Sequence, residues 1–138
     1  MPITTWVEKY KANGKQVATA DATPTTVASI DVSALGVGVP VANATIWVEG
    51  RLYAVSGSNF GFCKIGQTFK VSGGALSAIG ALQVFTSGAA GALIGDAGLA
   101  TASGTFDASG SSVRLRAVGI AATNIVWDGY LDLSTGGF

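Results

Sequence analysis

The stretch SSVRLRAVGIAATNIVWDGYLDLS, residues 111–134, contains two alternating patterns of apolar and polar residues joined by a link of small residues. Successive side chains of a β-strand point to opposite faces, so each pattern predicts a strand with one buried face and one wet face. The buried faces are predicted to carry Val113, Leu115 and Ala117 in the first strand, and Ile125, Trp127, Leu131 and Leu133 in the second.

These two strands are predicted to pair with each other as the last hairpin of the domain. If the chain folds back within residues 119–123, Leu115 lies opposite Trp127 and Arg114 lies opposite Asp128. Apolar side chains then match apolar ones and opposite charges face each other, a pattern that stabilises cross-strand pairs. The acidic residues of the second strand are therefore interpreted as partners of the two arginines in a structural ladder of ion pairs.

Length and composition indicate a single domain without metal or disulfide support. A chain of 138 residues buries enough surface for a stable core. It contains one cysteine and no histidine, so an internal disulfide is impossible, and the usual zinc and haem ligands and the usual general base are missing. We therefore expect no enzyme activity, no catalytic residue and no cofactor, and we interpret Cys63 as a small structural residue.

The charge pattern favours assembly with other proteins. Eight basic and eight acidic side chains give zero net charge, and only 12% of the residues are charged. A neutral surface favours association, whereas nucleic-acid binding calls for a basic stripe. The apolar region 73–102 is broken by glycines, Gln83 and Asp96, which argues against a transmembrane helix. The start of the chain resembles no signal peptide, which predicts synthesis in the cytoplasm.

Residues 1–15 are predicted to form an extended N-terminal arm or edge hairpin, and residues 16–138 the β-sandwich domain. Residues 5–8 also fit a helical capping box, but the β-formers there and the turn signal Asn13-Gly14 favour an extended chain. This basic arm is interpreted either as an edge strand protected by lysines or as an arm that reaches an acidic neighbouring subunit. Its interface candidates are Trp6, Lys9, Lys11 and Lys15.

The chain as a whole is predicted to be all-β. Short strand patterns are separated by Gly, Pro, Asn and Asp at intervals of about ten residues, and no long helical pattern interrupts them. This spacing predicts a single-domain antiparallel β-sandwich, more jelly-roll-like than a closed barrel.

The segment TIWVEGRLYAV, residues 45–55, carries aromatic and charged side chains at alternate positions, unless the chain turns at Gly50. Two interpretations of Trp47 and Tyr53 remain open. They belong to a second core layer, or they form an aromatic contact patch on a partly exposed face. The residues of this parity are Trp47, Glu49, Arg51 and Tyr53.

Further along the chain, residues 59–71 are predicted to form two short strands around Ile65-Gly66, and residues 82–86 another strand. Residues 88–100 are predicted to form a long Ala/Gly-rich loop. Loops of this length are usually functional or ordered by a partner. The interface candidates in this loop are Leu93 and Ile94.

Two segments resemble the virion proteins of tailed bacteriophages: GTFDASGSSVRLRAVGIAATNIVWDGYLDL, residues 104–133, and ATIWVEGRLYAV, residues 44–55. In size and in its lack of catalytic motifs the chain is most similar to capsid cement, or decoration, proteins. The resemblance implies a non-enzymatic subunit on the capsid exterior that binds the assembled shell and cements neighbouring subunits. The implied partners are the major capsid protein of the same virion and further copies of this chain, as a homodimer or homotrimer.

The alternative hypothesis is a tail or head fibre domain that recognises a carbohydrate. In that case Trp47, Tyr53 or Tyr130 provides a stacking platform for a sugar ring, and Asp128 accepts hydrogen bonds from its hydroxyl groups. A secreted adhesin is a third hypothesis, which the missing signal sequence disfavours.

Overall fold

The computed structural model describes residues 6–34, 43–86 and 91–137, which contain ten β-strands in two antiparallel sheets. The strands are β1 (Trp6–Asn13), β2 (Val17–Thr19), β3 (Thr25–Asp31), β4 (Asn43–Ser56), β5 (Asn59–Ser72), β6 (Ala75–Val84), β7 (Ile94–Gly95), β8 (Ser103–Ser109), β9 (Ser112–Val118) and β10 (Ile125–Gly137). The larger sheet has the order β1-β10-β4-β5-β6, with β2 beside β10 and β7 beside β5. The smaller sheet has the order β3-β9-β8.

The core lies between the two sheets because each sheet contributes one apolar face. Strand β4 buries Ile46 and Leu52, and β9 buries Val113 and Leu115. Full burial of each such side chain stabilises the fold by about 1.5–3 kcal/mol. Gly50 allows the sheets to approach closely, since a Cβ there would lie 2.6 Å from Leu115 Cδ1. Gly50 therefore lies inside β4 and makes no turn.

Trp127 is the largest fully buried side chain. Its Nε1 donates a hydrogen bond of 2.9 Å to Thr19 Oγ1, so the polar group of the indole has a partner inside the core. The other residues predicted to be buried in residues 111–134 are buried as well. The predicted faces of both strands are therefore confirmed.

The predicted hairpin of β9 and β10 is wrong. Strand β9 lies between β3 and β8, whereas β10 lies inside the larger sheet. Arg114 is opposite Asp107 of β8 and not opposite Asp128, and Leu115 and Trp127 reach the core from different sheets. Alternation fixes which face of a strand is buried but not which neighbour it bonds. Strands that face each other across a core therefore carry the same pattern as strands that pair.

Three strand boundaries also differ from the sequence prediction. Strand β5 runs unbroken through Ile65-Gly66, and β6 begins at Ala75, well before the predicted strand 82–86. The predicted loop 88–100 contains β7 and a 3-10 turn at Ala97–Leu99; its residues 88–90 lie outside the described part of the chain.

Strand β1 pairs with β10 from Trp6 opposite Gly137 to Asn13 opposite Tyr130. The extended N-terminal segment is thus an edge strand of the larger sheet and not a capped helix. The division into an arm (residues 1–15) and a sandwich domain (residues 16–138) stays a prediction.

The predicted all-β antiparallel sandwich is confirmed. The jelly-roll detail is not confirmed, because the described strands divide into sheets of seven and three. Among the helical turns in the described residues, none is long and apolar enough to cross a membrane.

Candidate functional site

The larger sheet has a second face, called the outer face here, that points away from the smaller sheet. Its side chains have the parity opposite to the buried residues of the same strands. Trp47, Glu49 and Arg51 are partly exposed and Tyr53 is exposed, while their neighbours along β4 are buried. The predicted parity is confirmed, and the exposure of these side chains argues against a second core layer, whereas their role as a contact patch stays a prediction.

The antiparallel register arranges the side chains of the outer face in rows across the strands, with neighbouring Cβ atoms about 4.5–5.5 Å apart. One row consists of Lys11, Asp132, Glu49 and Gly66. The next row consists of Asn13, Tyr130, Arg51 and Lys64. The row after that consists of Asp128, Tyr53, Phe62 and Ile94.

An open cleft of about 450 Å³ lies on the outer face over β1, β10 and β4. We call it the polar cleft. Its lining residues include one indole, two carboxylates, one ammonium group and two side chains with a hydroxyl group. Its lining residues are Tyr10, Lys11, Trp47, Glu49, Asp132, Leu133 and Ser134. Concave sites that combine apolar surface with a few convergent polar groups are typical of small-ligand binding.

The Trp47 indole is held in place by three neighbours. It lies over Gly66, where a Cβ would come within 2.5 Å of Trp47 Cζ2. It meets Phe85 edge to face, with ring centroids 6.2 Å apart, and its Nε1 donates a hydrogen bond of 3.3 Å to Glu49 Oε1. A ring that is already positioned loses little conformational entropy when a ligand binds.

Glu49 and Asp132 are opposite each other on β4 and β10. Like charges in this position repel, and two cations offset the repulsion. Lys64 Nζ lies 4.0 Å from Glu49 Oε2, and Arg51 Nη1 lies 3.9 Å from Asp132 Oδ2. Partly exposed ion pairs of this kind contribute at most about 1 kcal/mol. Both carboxylates therefore remain able to accept hydrogen bonds from a ligand.

Tyr130 separates the polar cleft from a second cleft of about 290 Å³, which is lined by Asn13, Gly14, Tyr53, Asp128, Gly129 and Tyr130. Lys11 Nζ lies 4.3 Å from the centroid of the Tyr130 ring, and Arg51 Cζ lies 5.2 Å from it. Arg51 Nη1 also donates a hydrogen bond to the Tyr130 hydroxyl group. Since two cations already contact this ring, Tyr130 is better suited to position Lys11 and Arg51 than to stack on a sugar.

Tyr53 is exposed and packs against Phe62, with ring centroids 5.0 Å apart. Asp128 is its cross-strand neighbour and accepts a hydrogen bond of 2.8 Å from the Gly129 N–H. Trp47 and Tyr53 are six positions apart on β4, which corresponds to about 20 Å along a strand. The two aromatic platforms are therefore distinct, and one sugar ring cannot contact both.

Beyond Tyr53 the outer face becomes apolar. Val126, Val55 and Phe60 form one row, and Ile94 lies opposite Phe62 in the adjacent row. We call the exposed side chains Val55, Phe60, Ile94 and Val126 the apolar patch. Phe60 and Val126 are not among the interface candidates predicted from the sequence. The alternation of side chains around Cys63 does predict the exposure of Phe60, because it places Phe60 on the face of β5 that points away from the core.

The other predicted interface candidates do not share one surface. Lys11, Trp47, Tyr53 and Ile94 belong to the outer face, but Leu93 is buried in the core and is not available for contact. The chain folds back there, with the Leu93 N–H bonded to the Ala102 carbonyl oxygen. Lys15 is exposed after β1. The side chains of Trp6 and Lys9 lie outside the described part of the structure.

The predicted ion-pair ladder between the two arginines and the acidic residues of β10 is wrong, because both arginines pair with Asp107 of β8 instead. Arg114 donates two hydrogen bonds to the Asp107 carboxylate, at 2.7 and 2.5 Å, and Arg116 donates one at 3.1 Å. The Arg114 hydrogen bonds hold the pKa of Asp107 below its usual range. This cluster joins neighbouring strands of the smaller sheet and is a structural feature.

Cys63 is the single cysteine of the sequence. It is buried in the core, and burial raises the pKa of its thiol to about 12. A protonated, buried thiol is inert as a nucleophile. Within residues 6–34, 43–86 and 91–137, no group of three or more His, Cys, Asp or Glu side chains is arranged to hold a metal ion.

A scan against protein-family models finds no match, and a search of curated proteins finds none either. Among solved structures, the chain is similar to the Acinetobacter baumannii phage AM24 tailspike protein, with a TM-score of 0.41 and 13% identity over 94% of this chain and 26% of the tailspike. It is also similar to the Acinetobacter phage vB_ApiP_P1 tailspike protein, with a TM-score of 0.33 and 16% identity over 94% of this chain and 20% of the tailspike. At these TM-scores the function of the chain is left open.

Proposed function

We propose that this chain is a non-enzymatic structural subunit of a tailed-bacteriophage virion that binds a carbohydrate in the polar cleft. The observation that carries the carbohydrate part is the grouping of Trp47, Glu49, Asp132 and Lys11 around one open cleft. The virion part rests on the resemblance of residues 44–55 and 104–133 to phage virion proteins.

The chemistry of the polar cleft suits a polyhydroxylated ligand. The indole offers an apolar surface to the C–H groups of a sugar ring, as aromatic side chains with one wet side commonly do. The carboxylates of Glu49 and Asp132 accept charge-assisted hydrogen bonds from hydroxyl groups, which are stronger than bonds between neutral partners. The Lys11 ammonium group donates, and Arg51 and Lys64 keep the local charge balanced. A neutral or weakly acidic sugar fits this balance.

We favour carbohydrate binding over capsid cementing because the N-terminal segment pairs with a strand of its own chain. One contact element of the cementing hypothesis is a basic arm that reaches a neighbouring subunit. Residues 6–13 are instead hydrogen-bonded to β10 along their whole length, and Lys11 contacts the Tyr130 ring of its own chain. The carbohydrate hypothesis uses Trp47 or Tyr53 as a stacking platform, and carboxylates lie beside both residues on the same face.

The test is an array of bacterial capsular and lipopolysaccharide oligosaccharides, followed by calorimetric titration with the best binder. We expect Trp47→Ala to weaken binding at least tenfold, about 1.4 kcal/mol. Asp132→Asn should weaken it severalfold. The matched control is Asp21→Asn, which changes an exposed carboxylate in the loop between β2 and β3 and should leave affinity unchanged.

Two results would overturn the proposal. One is binding that Trp47→Ala leaves intact, which would move the site elsewhere. The other is no sugar binding together with saturable co-sedimentation with capsid shells assembled without this protein, which would support the capsid cement function.

A further inference from the structure

The second cleft, of about 290 Å³, lies beside the polar cleft on the outer face, and the proposed function does not use it. We propose that the two clefts form one groove along β10 that binds a linear oligosaccharide lengthwise, with different sugar rings in the two clefts. This inference rests on the proposed carbohydrate function and names its ligand class, an extended chain of several sugars in place of a single terminal sugar.

The two clefts are aligned because the same three strands bound them. The polar cleft contains Lys11 of β1 and Trp47 of β4. The second cleft contains Asn13 of β1 and Tyr53 of β4. Since β10 lies between β1 and β4 in the sheet and contributes residues to both clefts, the clefts follow one strand and lie end to end.

The second cleft is a recess that the chain path creates at the edge of the larger sheet. Strand β1 ends at Asn13 and β2 begins at Val17, and both strands pair with β10. Between them the Lys15 N–H donates a hydrogen bond to the carbonyl oxygen of Val27 in β3, so the chain turns there toward the smaller sheet. Asp128 of β10 falls between the two paired stretches. The cleft therefore lies at a break in the sheet edge and is not a flat area of sheet.

The second cleft repeats the combination of an aromatic ring and polar groups that suits a sugar. Tyr53 is 48% exposed, and its ring is positioned by Phe62, with centroids 5.0 Å apart. Asp128 is the cross-strand neighbour of Tyr53. One of its oxygens accepts the Gly129 N–H, and a carboxylate has about four acceptor positions, so it can also accept hydrogen bonds from hydroxyl groups. The Asn13 amide supplies both donors and an acceptor.

Tyr130 forms the ridge between the two clefts, and its neighbours there are hydrogen-bond donors. Lys11 Nζ lies 4.3 Å from the ring centroid and Arg51 Cζ lies 5.2 Å from it. The carboxylates of Asp132 and Asp128 lie on opposite sides of this ridge along β10. Acceptors, donors and acceptors thus follow one another along the groove. Sugar hydroxyl groups both donate and accept, so a sugar chain can form hydrogen bonds at each of these positions.

The spacing of the two aromatic platforms determines how long the oligosaccharide must be. Trp47 and Tyr53 are about 20 Å apart along β4, farther than one sugar ring reaches. A chain of several sugars joins both contacts in one molecule, so its second contact forms intramolecularly and its affinity exceeds that of a short fragment. Both rings are already positioned by packing, at Phe85 and at Phe62, which lowers the entropic cost of binding.

The experiment is a calorimetric titration of the full chain with oligosaccharides of increasing length. They are cut from the capsular or lipopolysaccharide glycan that binds best on the array. We expect the octasaccharide to bind at least tenfold more tightly than the disaccharide. Tyr53→Ala should weaken octasaccharide binding at least tenfold, about 1.4 kcal/mol, without changing disaccharide binding, whereas Trp47→Ala should weaken both.

The matched control is Phe60→Ala, because Phe60 is a 59% exposed aromatic residue of the same face that lines neither cleft. It should leave the affinity for every length unchanged. Asp128→Asn is a second variant of the second cleft that keeps the size of the side chain and should weaken octasaccharide binding severalfold. Circular dichroism melting establishes that each variant is folded, and the exposed Asp128 provides the test even if Tyr53→Ala unfolds.

The outcomes separate this inference from the proposed function. Equal affinity for disaccharide and octasaccharide, or octasaccharide binding that neither Tyr53→Ala nor Asp128→Asn weakens, would overturn the groove while leaving sugar binding in the polar cleft intact. Absence of binding at every length, or binding that Trp47→Ala leaves intact, would overturn the proposed function and the groove together.

Discussion

Single residues on the smaller sheet show how this weakly charged chain uses its few charges. Asp107 accepts hydrogen bonds from Arg114 and Arg116, and Arg116 also donates to the Pro24 carbonyl oxygen beyond β3. One carboxylate thus joins side chains from β8 and β9 and helps to fix the loop before β3. Because between 23% and 33% of each of these three side chains is exposed, solvent screens the ion pairs, and each stabilises the fold by at most about 1 kcal/mol.

The pKa of Asp107 gives a prediction about pH. The Arg114 hydrogen bonds lower its folded pKa, so the stabilisation is present above the unfolded pKa of about 3.9 and is lost as pH falls through the folded value. Asp107→Asn should lower the free energy of unfolding at pH 7 by about 1 kcal/mol. Urea unfolding of single and double variants with Arg114→Gln should give a coupling at pH 7 that weakens as the pH is lowered below the unfolded pKa. A coupling that does not change with pH would exclude the charged pair as its source.

Trp47 and Gly66 show which properties of single residues can be predicted from the sequence and which cannot. The alternation in residues 45–55 places Trp47 on the outer face, and this part follows from sequence alone. Gly66 was interpreted as a break between strands because glycine is common at turns. Its role is instead tertiary, since the Trp47 ring occupies the space that a Cβ would fill. A single sequence does not reveal which distant side chain needs that space.

At the scale of elements, the pairing of β9 with β8 can be tested by crosslinking. Asp107 and Arg114 are direct partners, and directly paired residues have Cα atoms about 4.5–5.5 Å apart, within the range of a disulfide. The double variant Asp107→Cys/Arg114→Cys should therefore oxidise to an intramolecular disulfide, detected by intact mass and thiol titration. Cys63 is buried and does not compete.

The matched control is Arg114→Cys/Asp128→Cys, which places the two thiols where the predicted β9–β10 hairpin would bring them together. Because β9 and β10 lie in different sheets, this variant should keep free thiols under the same oxidation. The opposite outcome, a disulfide in the control and none in the first variant, would restore the hairpin and contradict the topology.

The elements also explain which parts of the fold were predictable. Strands with clean alternation, such as β4, β9 and β10, were found with the correct buried faces, because alternation reports burial directly. Strand β6 was mostly missed because it is an edge strand with exposed residues on both faces and a register shift opposite Gly66 and Thr68. The partner of each strand was not predictable, since pairing depends on contacts far apart in sequence.

At the scale of the whole molecule, the two sheets have different roles. The smaller sheet closes the core, and the larger sheet presents a broad outer face with a polar cleft at one side and an apolar patch at the other. The composition anticipated a neutral surface suited to association. It did not reveal that the aromatic residues, carboxylates and exposed aliphatic residues share one face, because that arrangement comes from the order of β10, β4 and β5.

The most direct test of the outer face as the binding surface is a ¹H–¹⁵N NMR titration of the full chain with the oligosaccharide that binds best on the array. We expect saturable shifts at the Trp47 indole N–H and at the amides of Lys11, Glu49 and Asp132, with the Asp107 and Arg114 amides unchanged. Shifts confined to the smaller sheet, or no shifts in the polar cleft at saturation, would contradict this expectation.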